Sequence, residues 1–266
     1  MFRSNHLLRN IATTTSKGLP KSSQFLPQQS IRSFASLGAQ LKKNAIEFPH
    51  SEIVRYERNN VKWTHSEIKT YSDAMVKGLE EMNITRGSTI LSWLPTTSPE
   101  HHVLQFAAAQ GGFILGHLSP DTTSPQAISK AIDSAKPSAV FFPDVIQDVN
   151  YLEIMKSVVP EIVDYNETLG FPFRSTKFPS LRYCVHTGFD IEDGLTNYKH
   201  IMAFNGEPKD RSKETDPVFF DISSDGKVGK TMNHKEAVEH EGWTTVNAIL
   251  SKQYSECNNQ YNDDGL

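Results

Sequence analysis

From about residue 47 the chain alternates between short apolar runs and longer segments that carry a single apolar stripe. That alternation restricts it to an α/β fold in which helices cross between parallel strands. Thr64-His65-Ser66-Glu67 has the spacing of a capping box, where a hydroxyl and a carboxylate each bond the other residue's backbone amide. Ile68, Tyr71, Met75, Leu79 and Met82 follow at helical spacing, and Arg86-Gly87 reads as the stop. Residues 89–94 read as a buried strand. Ser98-Pro99-Glu100 opens a second helix, with Ser as cap and Pro at the first helical position, running to Gly111-Gly112. Residues 113–118 and 139–142 are strand-like, with a helix from Ser124-Pro125 to about Ser134 between them. A helix over 151–159, strands over 182–186 and 218–222, and a helix over about 233–252 complete the pattern. The expected fold is a set of βαβ units with right-handed crossovers. Residues 166–180 and 188–215 read as loops, and the polar tail after Ser255 as disordered.

The amino end differs from this body. Residues 1–46 contain no Asp or Glu but carry Arg3, Arg9, Lys17, Lys21, Arg32, Lys42 and Lys43 among many Ser, Thr and Gln. Such a stretch reads as a mitochondrial transit peptide, with Arg32-Ser33-Phe34-Ala35-Ser36 resembling a matrix-protease cleavage site; a basic disordered tail is the plainer alternative. The expected division is residues 1–36 as transit peptide, 37–250 as α/β domain and 251–266 as tail. The whole chain has 27 basic and 31 acidic residues. Beyond residue 46 the balance is 20 bases against 31 acids, a net charge of about −11, which argues against a nucleic-acid partner.

Cys184 and Cys257 stand in no CxxC pair or Cys/His cluster, so neither zinc nor a disulfide framework is expected. The apolar stretch 103–118 is interrupted by Gln105, Gln110, Gly111 and Gly112, too short and too polar for a membrane span. His101-His102 are adjacent and face different ways, a poor metal pair expected to be solvated. His234 and His240 also miss the i, i+4 spacing. Phe106-Ala107-Ala108-Ala109 is expected to serve close helix packing.

The pieces, in order, resemble the N-terminal region of the AMP-forming acyl-CoA synthetases, closest to the medium-chain branch. Trp63-Thr64-His65-Ser66-Glu67-Ile68 resembles the family's W-T-Y-x-E-L. Residues 78–90 match G-L-x-x-x-G-x-x-x-G-D-x-V, with Asn83 and Ser88 replacing Gly and Asp. Gln110 through Pro120 resembles x-G-A-x-x-V-x-x-N-P, and the likeness extends over about residues 37–250. It implies an incomplete N-terminal adenylating-enzyme fold and an ancestral reaction in which ATP and an acid give an acyl-adenylate that CoA then cleaves.

That reaction needs a phosphate cradle, the family's S-G-T-T-G-x-P-K-G, whose glycines let backbone amides approach phosphate oxygens. Here the flanks Asp216-Pro217-Val218 and Asn233-His234 are recognisable. Between them the remnant loop Ser223-Ser224-Asp225-Gly226-Lys227-Val228-Gly229-Lys230 is about three residues short by that likeness. It has lost both threonines, and Asp225 stands where a glycine is expected. A carboxylate a few ångströms from a polyphosphate repels it by about 4 kcal/mol at intermediate dielectric. Lys227 and Lys230 offer charge out of register. Ser224 through Thr231 also approximates a P-loop, G-x-x-x-x-G-K-[ST], except at its first position; a surface turn is the plain alternative. The family's adenine- and ribose-binding segments and its catalytic lysine find no counterpart before Leu266. The expectation is therefore a pseudoenzyme with no catalytic residue, no cofactor and no metal. Its expected role is an accessory subunit of a mitochondrial inner-membrane complex (a respiratory complex or the ATP synthase), on the matrix side, touching membrane only through partner subunits. The alternatives are a residual fatty acid–CoA ligase or a binder of acyl-CoA or nucleotide.

Overall fold

The computed structural model describes residues 36–57, 60–165, 173–203, 206, 208 and 212–257. Most of the segment read as a transit peptide, residues 1–35, and the tail residues 258–266 lie outside the described residues.

In chain order, α1 (Leu37–Glu47) precedes an antiparallel ribbon of β1 (Glu52–Tyr56) and β2 (Val61–Thr64). Then come α2 (His65–Glu81), β3 (Thr89–Ser92), α3 (Pro99–Gly111), β4 (Ile114–Leu118), α4 (Pro125–Ala135) and β5 (Ala139–Phe142). The hairpin β6 (Val145–Ile146) and β7 (Val149–Asn150) leads into α5 (Tyr151–Val158) and α6 (Glu161–Asp164). The remainder is β8 (Tyr183–His186), β9 (Thr196–Asn197), α7 (Tyr198–Ile201), β10 (Pro217–Ile222), β11 (Met232–Asn233), α8 (His234–Val238), α9 (Thr244–Leu250) and β12 (Ser255–Cys257).

Seven strands form the main sheet in the order β11-β10-β4-β3-β5-β8-β9. Only β11 runs antiparallel to its neighbour. Successive strand residues feed opposite faces: Ile90 and Phe141 join one core with α1, α2, α3 and α9, while Leu91, Val140 and Phe142 join a second core with α4 and α5. The fold is thus the α/β sandwich the alternation implied. The connection leaving β3 runs to β4 over the first face and that leaving β5 runs to β8 over the second, so the carboxyl ends of β3 and β5 flank a topological switch point.

Local chemistry explains the best-read boundaries. Thr64 and Glu67 form the expected capping box, and Ser98 caps α3 with Pro99 just inside it. Other boundaries need correction. Ser36, placed above in the transit peptide, belongs to the fold: its side chain accepts the Ala39 N–H at 3.3 Å and caps α1. Helix α2 ends at Glu81, ahead of Arg86-Gly87, because Asn83 already turns left-handed at φ 56°, a conformation Asn tolerates better than most residues. The single helix expected over 233–252 is broken into α8, a 3-10 turn at Glu241–Trp243 and α9. There the His240 ring accepts the Gly242 N–H at 3.2 Å and starts a new turn, a side chain competing with the helix's own ladder. The segment assigned to a disordered tail contains β12, which pairs in parallel with β1 and buries Cys257. His101 and His102 are buried rather than solvated, because α3 is enclosed on nearly every side. Among the described residues, no helix is long and apolar enough to cross a membrane.

Candidate functional site

Strand β10 is buried along most of its length and delivers its carboxyl end beside β4. The remnant loop begins one residue later, where a phosphate cradle would need outward-facing amides. Instead it folds on itself. The Ser223 N–H donates to the Lys227 carbonyl at 3.0 Å, the Gly226 N–H to the Ser223 carbonyl at 2.8 Å, and the Gly229 N–H to the Asp221 carbonyl at 2.8 Å. The Lys227 N–H donates to Ser223 Oγ at 3.2 Å. Ile222 and Val228 form an antiparallel bridge across this turn. Gly226 sits at φ 79° with a backbone oxygen, that of Ala127, only 2.4 Å from where a Cβ would stand, so no other residue fits there without moving α4.

The charges are equally committed. Ser223 Oγ donates to Asp225, and Lys130 of α4 reaches the same carboxylate at 3.2 Å. The Ser223 hydrogen bond, with the Lys130 one behind it, holds the Asp225 carboxyl below its usual range, so it is ionised at neutral pH. Lys230 pairs with Glu236 at 2.6 Å, and Glu236 in turn completes a capping box with Asn233 at the start of α8. Ser224, Asp225, Lys227, Gly229 and Lys230 are all exposed on this turn. The structure thus brings the sequence-named residues into one closed hairpin and not around a cavity. The segment also departs from the strand–loop–helix order of a P-loop, since the chain doubles back as a bridge before the helix at His234. Replacing Ser223 by alanine removes the hydroxyl that joins both arms of the turn, and is expected to cost about 1 kcal/mol in a denaturant melt.

One cluster near the carboxyl ends of β4 and β10 escaped the sequence. His117 of β4 and Asp221 of β10 are direct cross-strand partners, their side chains 3.5 Å apart. His240 Nε2 reaches the other oxygen of Asp221 at 2.8 Å. The His101 ring lies 5.0 Å from that of His117 and its Nδ1 is 2.8 Å from Ser92 Oγ. The available signal was the alternation in β4 and β10, which puts His117 and Asp221 on one face, but the strand order needed to join them is a tertiary fact. Among the described residues, no group of three or more His, Cys, Asp or Glu is placed to hold a metal ion.

The body is thus a doubly wound α/β sheet with a loop and helix following its β10 strand. The chain belongs to the AMP-binding enzyme family, whose model matches residues 41–219. Among solved structures it is similar to one described as a long-chain-fatty-acid CoA ligase from Rhodopseudomonas palustris (15% identity, TM-score 0.65, covering 86% of this chain and 58% of that one). It is also similar to a fatty acyl CoA synthetase of Mycobacterium tuberculosis (14%, 0.60, 84% and 44%). A third likeness is to the acetoacetyl-CoA synthetase of Streptomyces lividans (15%, 0.64, 84% and 38%). The chain therefore spans at most 58% of the length of these three relatives. Comparison with curated proteins gives no match.

Proposed function

We propose that this chain is a non-catalytic acyl-CoA synthetase-like protein that serves as an accessory subunit of a mitochondrial inner-membrane complex. The observation that carries the first half is the closed hairpin at 223–229, where the amides of Ser223, Gly226, Lys227 and Gly229 are spent on local carbonyls and the Ser223 hydroxyl. A triphosphate would have to break those bonds and also approach the Asp225 carboxylate. Support for the compartment is the acid-free, Arg- and Ser-rich composition of residues 1–46. The subunit role is supported by an α/β body that keeps two buried cores alongside a loop folded on itself.

Thermal unfolding with Mg-ATP tests the loss of nucleotide binding. Ligand at 100 times its dissociation constant stabilises a protein by about 2.7 kcal/mol, or roughly 5–10 °C for a chain of this size. Millimolar Mg-ATP is expected to shift the midpoint by less than about 1 °C. A shift of several degrees, or acid-dependent release of pyrophosphate from ATP, favours the alternative that family membership supports, a residual CoA ligase. Native electrophoresis of mitochondrial membranes tests the subunit role, with migration of the wild-type protein inside a large complex expected and migration as a free protein of about 30 kDa overturning it.

A further inference from the structure

Three of the four most exposed large apolar side chains among the described residues lie away from the remnant loop, on α6 and the loop after β8. Phe189 is 86% exposed, Ile191 75% and Val163 66%. Val163 lies on α6, and Phe189 and Ile191 on the loop joining β8 to β9, the outermost strand at that side of the sheet. Val163 and Ile191 line a common shallow groove of about 500 Å³ with Glu153, Lys156, Glu192 and Asp193. The loop is held tightly against α6, since a Cβ on Gly194 would stand 2.1 Å from the Ile162 carbonyl oxygen. Neighbouring exposed apolar side chains rimmed by polar residues mark interaction surfaces.

The surroundings select the occupant. Asp164 adjoins Val163, Asp190 separates Phe189 from Ile191, and Glu192 and Asp193 follow directly. Against these stand Lys156, already paired with Glu153 at 3.4 Å and Glu192 at 3.7 Å, and Lys199, whose ammonium lies over the Phe189 ring at 4.1 Å. The apolar spot is thus ringed by a net excess of carboxylates, which repels an anionic lipid surface and a second copy of the same acidic face. It attracts a segment with apolar side chains on one side and Lys or Arg on the other.

The geometry points to this groove and the adjoining loop as the docking surface for a basic amphipathic helix of a partner protein, with Ile191 and Val163 in the groove and the exposed Phe189 two residues along the loop as its anchors. The inference rests on the accessory-subunit reading and names the surface through which that assembly would be made. Anchors of this kind dominate binding while the acidic rim sets the sign of the partner.

The test uses the full chain and a short synthetic peptide of leucine and lysine at helical spacing, with a leucine–glutamate peptide as its counterpart. The lysine peptide is expected to bind and the glutamate peptide not. The double variant Phe189→Ser, Ile191→Ser keeps every charge and is expected to weaken binding about tenfold or more. Ile46→Ser, which removes an apolar side chain 72% exposed elsewhere, is expected to leave affinity unchanged. Equal binding by wild type and the double variant overturns the inference, as does equal binding of both peptides. Self-association of the wild type that the double variant abolishes also overturns it, by making the occupant a second copy. The far-ultraviolet spectrum and melting of the double variant report its folding, and Val163→Ser provides an independent anchor variant expected to weaken binding in the same direction. In native gels of mitochondria, release of the double variant from a complex that retains wild type supports the surface. Retention of both overturns the surface while leaving the subunit role intact, and absence of wild type from any complex overturns the subunit role itself.

Discussion

Replacing Phe219 by alanine is expected to lower the unfolding free energy by about 3–5 kcal/mol. Phe219 is fully buried on β10, packs edge-on against Trp243 at 5.5 Å and lies 5.2 Å from the His240 ring. Its removal opens a void between the sheet and the segment joining α8 to α9, and the β-sheet on one side cannot collapse to fill it. For a domain of this size each kcal/mol moves the melting midpoint by about 2–4 °C, so the loss amounts to roughly 6–20 °C by circular dichroism. A loss below about 1 kcal/mol would show that this layer does not hold the fold together. The same substitution should loosen the 3-10 turn that His240 caps, giving faster amide exchange at Gly242 and Trp243 than at α2.

Acid is expected to destabilise the fold well above the range where carboxylates titrate. Burial lowers the His102 pKa to about 4, and burial, with His117 and His102 nearby, pushes that of His101 well below its usual value. Both rings are therefore neutral in the folded protein, and His102 Nδ1 sits 2.8 Å from the Tyr56 hydroxyl. Unfolded histidine titrates near 6.5. Above that pH neither state is charged and the buried rings carry no protonation penalty. As pH falls through about 6.5 the unfolded chain gains protons that the folded chain refuses, so stability drops until the folded pKa is reached. From pH 7 to pH 5, His102 alone accounts for about 2 kcal/mol, and His101 adds in the same direction. Glu100 acts oppositely, since burial raises its carboxyl pKa and acid relieves the cost of its ionisation. Asp216, whose carboxyl is lowered by the Lys213 backbone amide and Arg86 among its causes, loses its contribution only at lower pH. Denaturant melts at pH 7 and pH 5 measure the drop, and His102→Gln should flatten the profile. A wild-type profile flat over that interval would contradict a neutral, enclosed His102.

What the sequence reveals here follows the range of the interactions. Capping boxes and Pro at a helix start act within four residues, and those at Thr64, Ser98-Pro99 and Glu67 were legible. The sheet strands were legible from apolar runs at residues 90–91, 140–142 and 218–220. Helix α1 was not, because it buries little beyond Leu37, Leu41 and Asn44 and shares its stretch with Lys42 and Lys43. Its anchorage is remote: the Leu37 N–H donates to His234 at 3.3 Å and Asn44 donates to the Leu250 carbonyl at 2.9 Å. The absence of the two cradle threonines could be read from residue types, and a surface turn stood as the alternative for residues 224–231. That Ser223 closes the turn, and that Asp221 joins His117 to His240, required the strand order. The exposed patch around Phe189 was hidden for the opposite reason, since short apolar runs in a loop look the same whether covered or bare.

The pairing of β12 with β1 places Val54 beside Ser255 and Tyr56 beside Cys257. A ribosome making this chain releases the first of these strands some two hundred residues before the second, at about 5–20 residues per second. During that interval Val54 and Tyr56 have one neighbour strand and no other. The small sheet consequently closes only once Cys257 has emerged, and a nascent chain halted near Leu250 would expose the open edge of β1 to whatever chaperone or stray polypeptide meets it first.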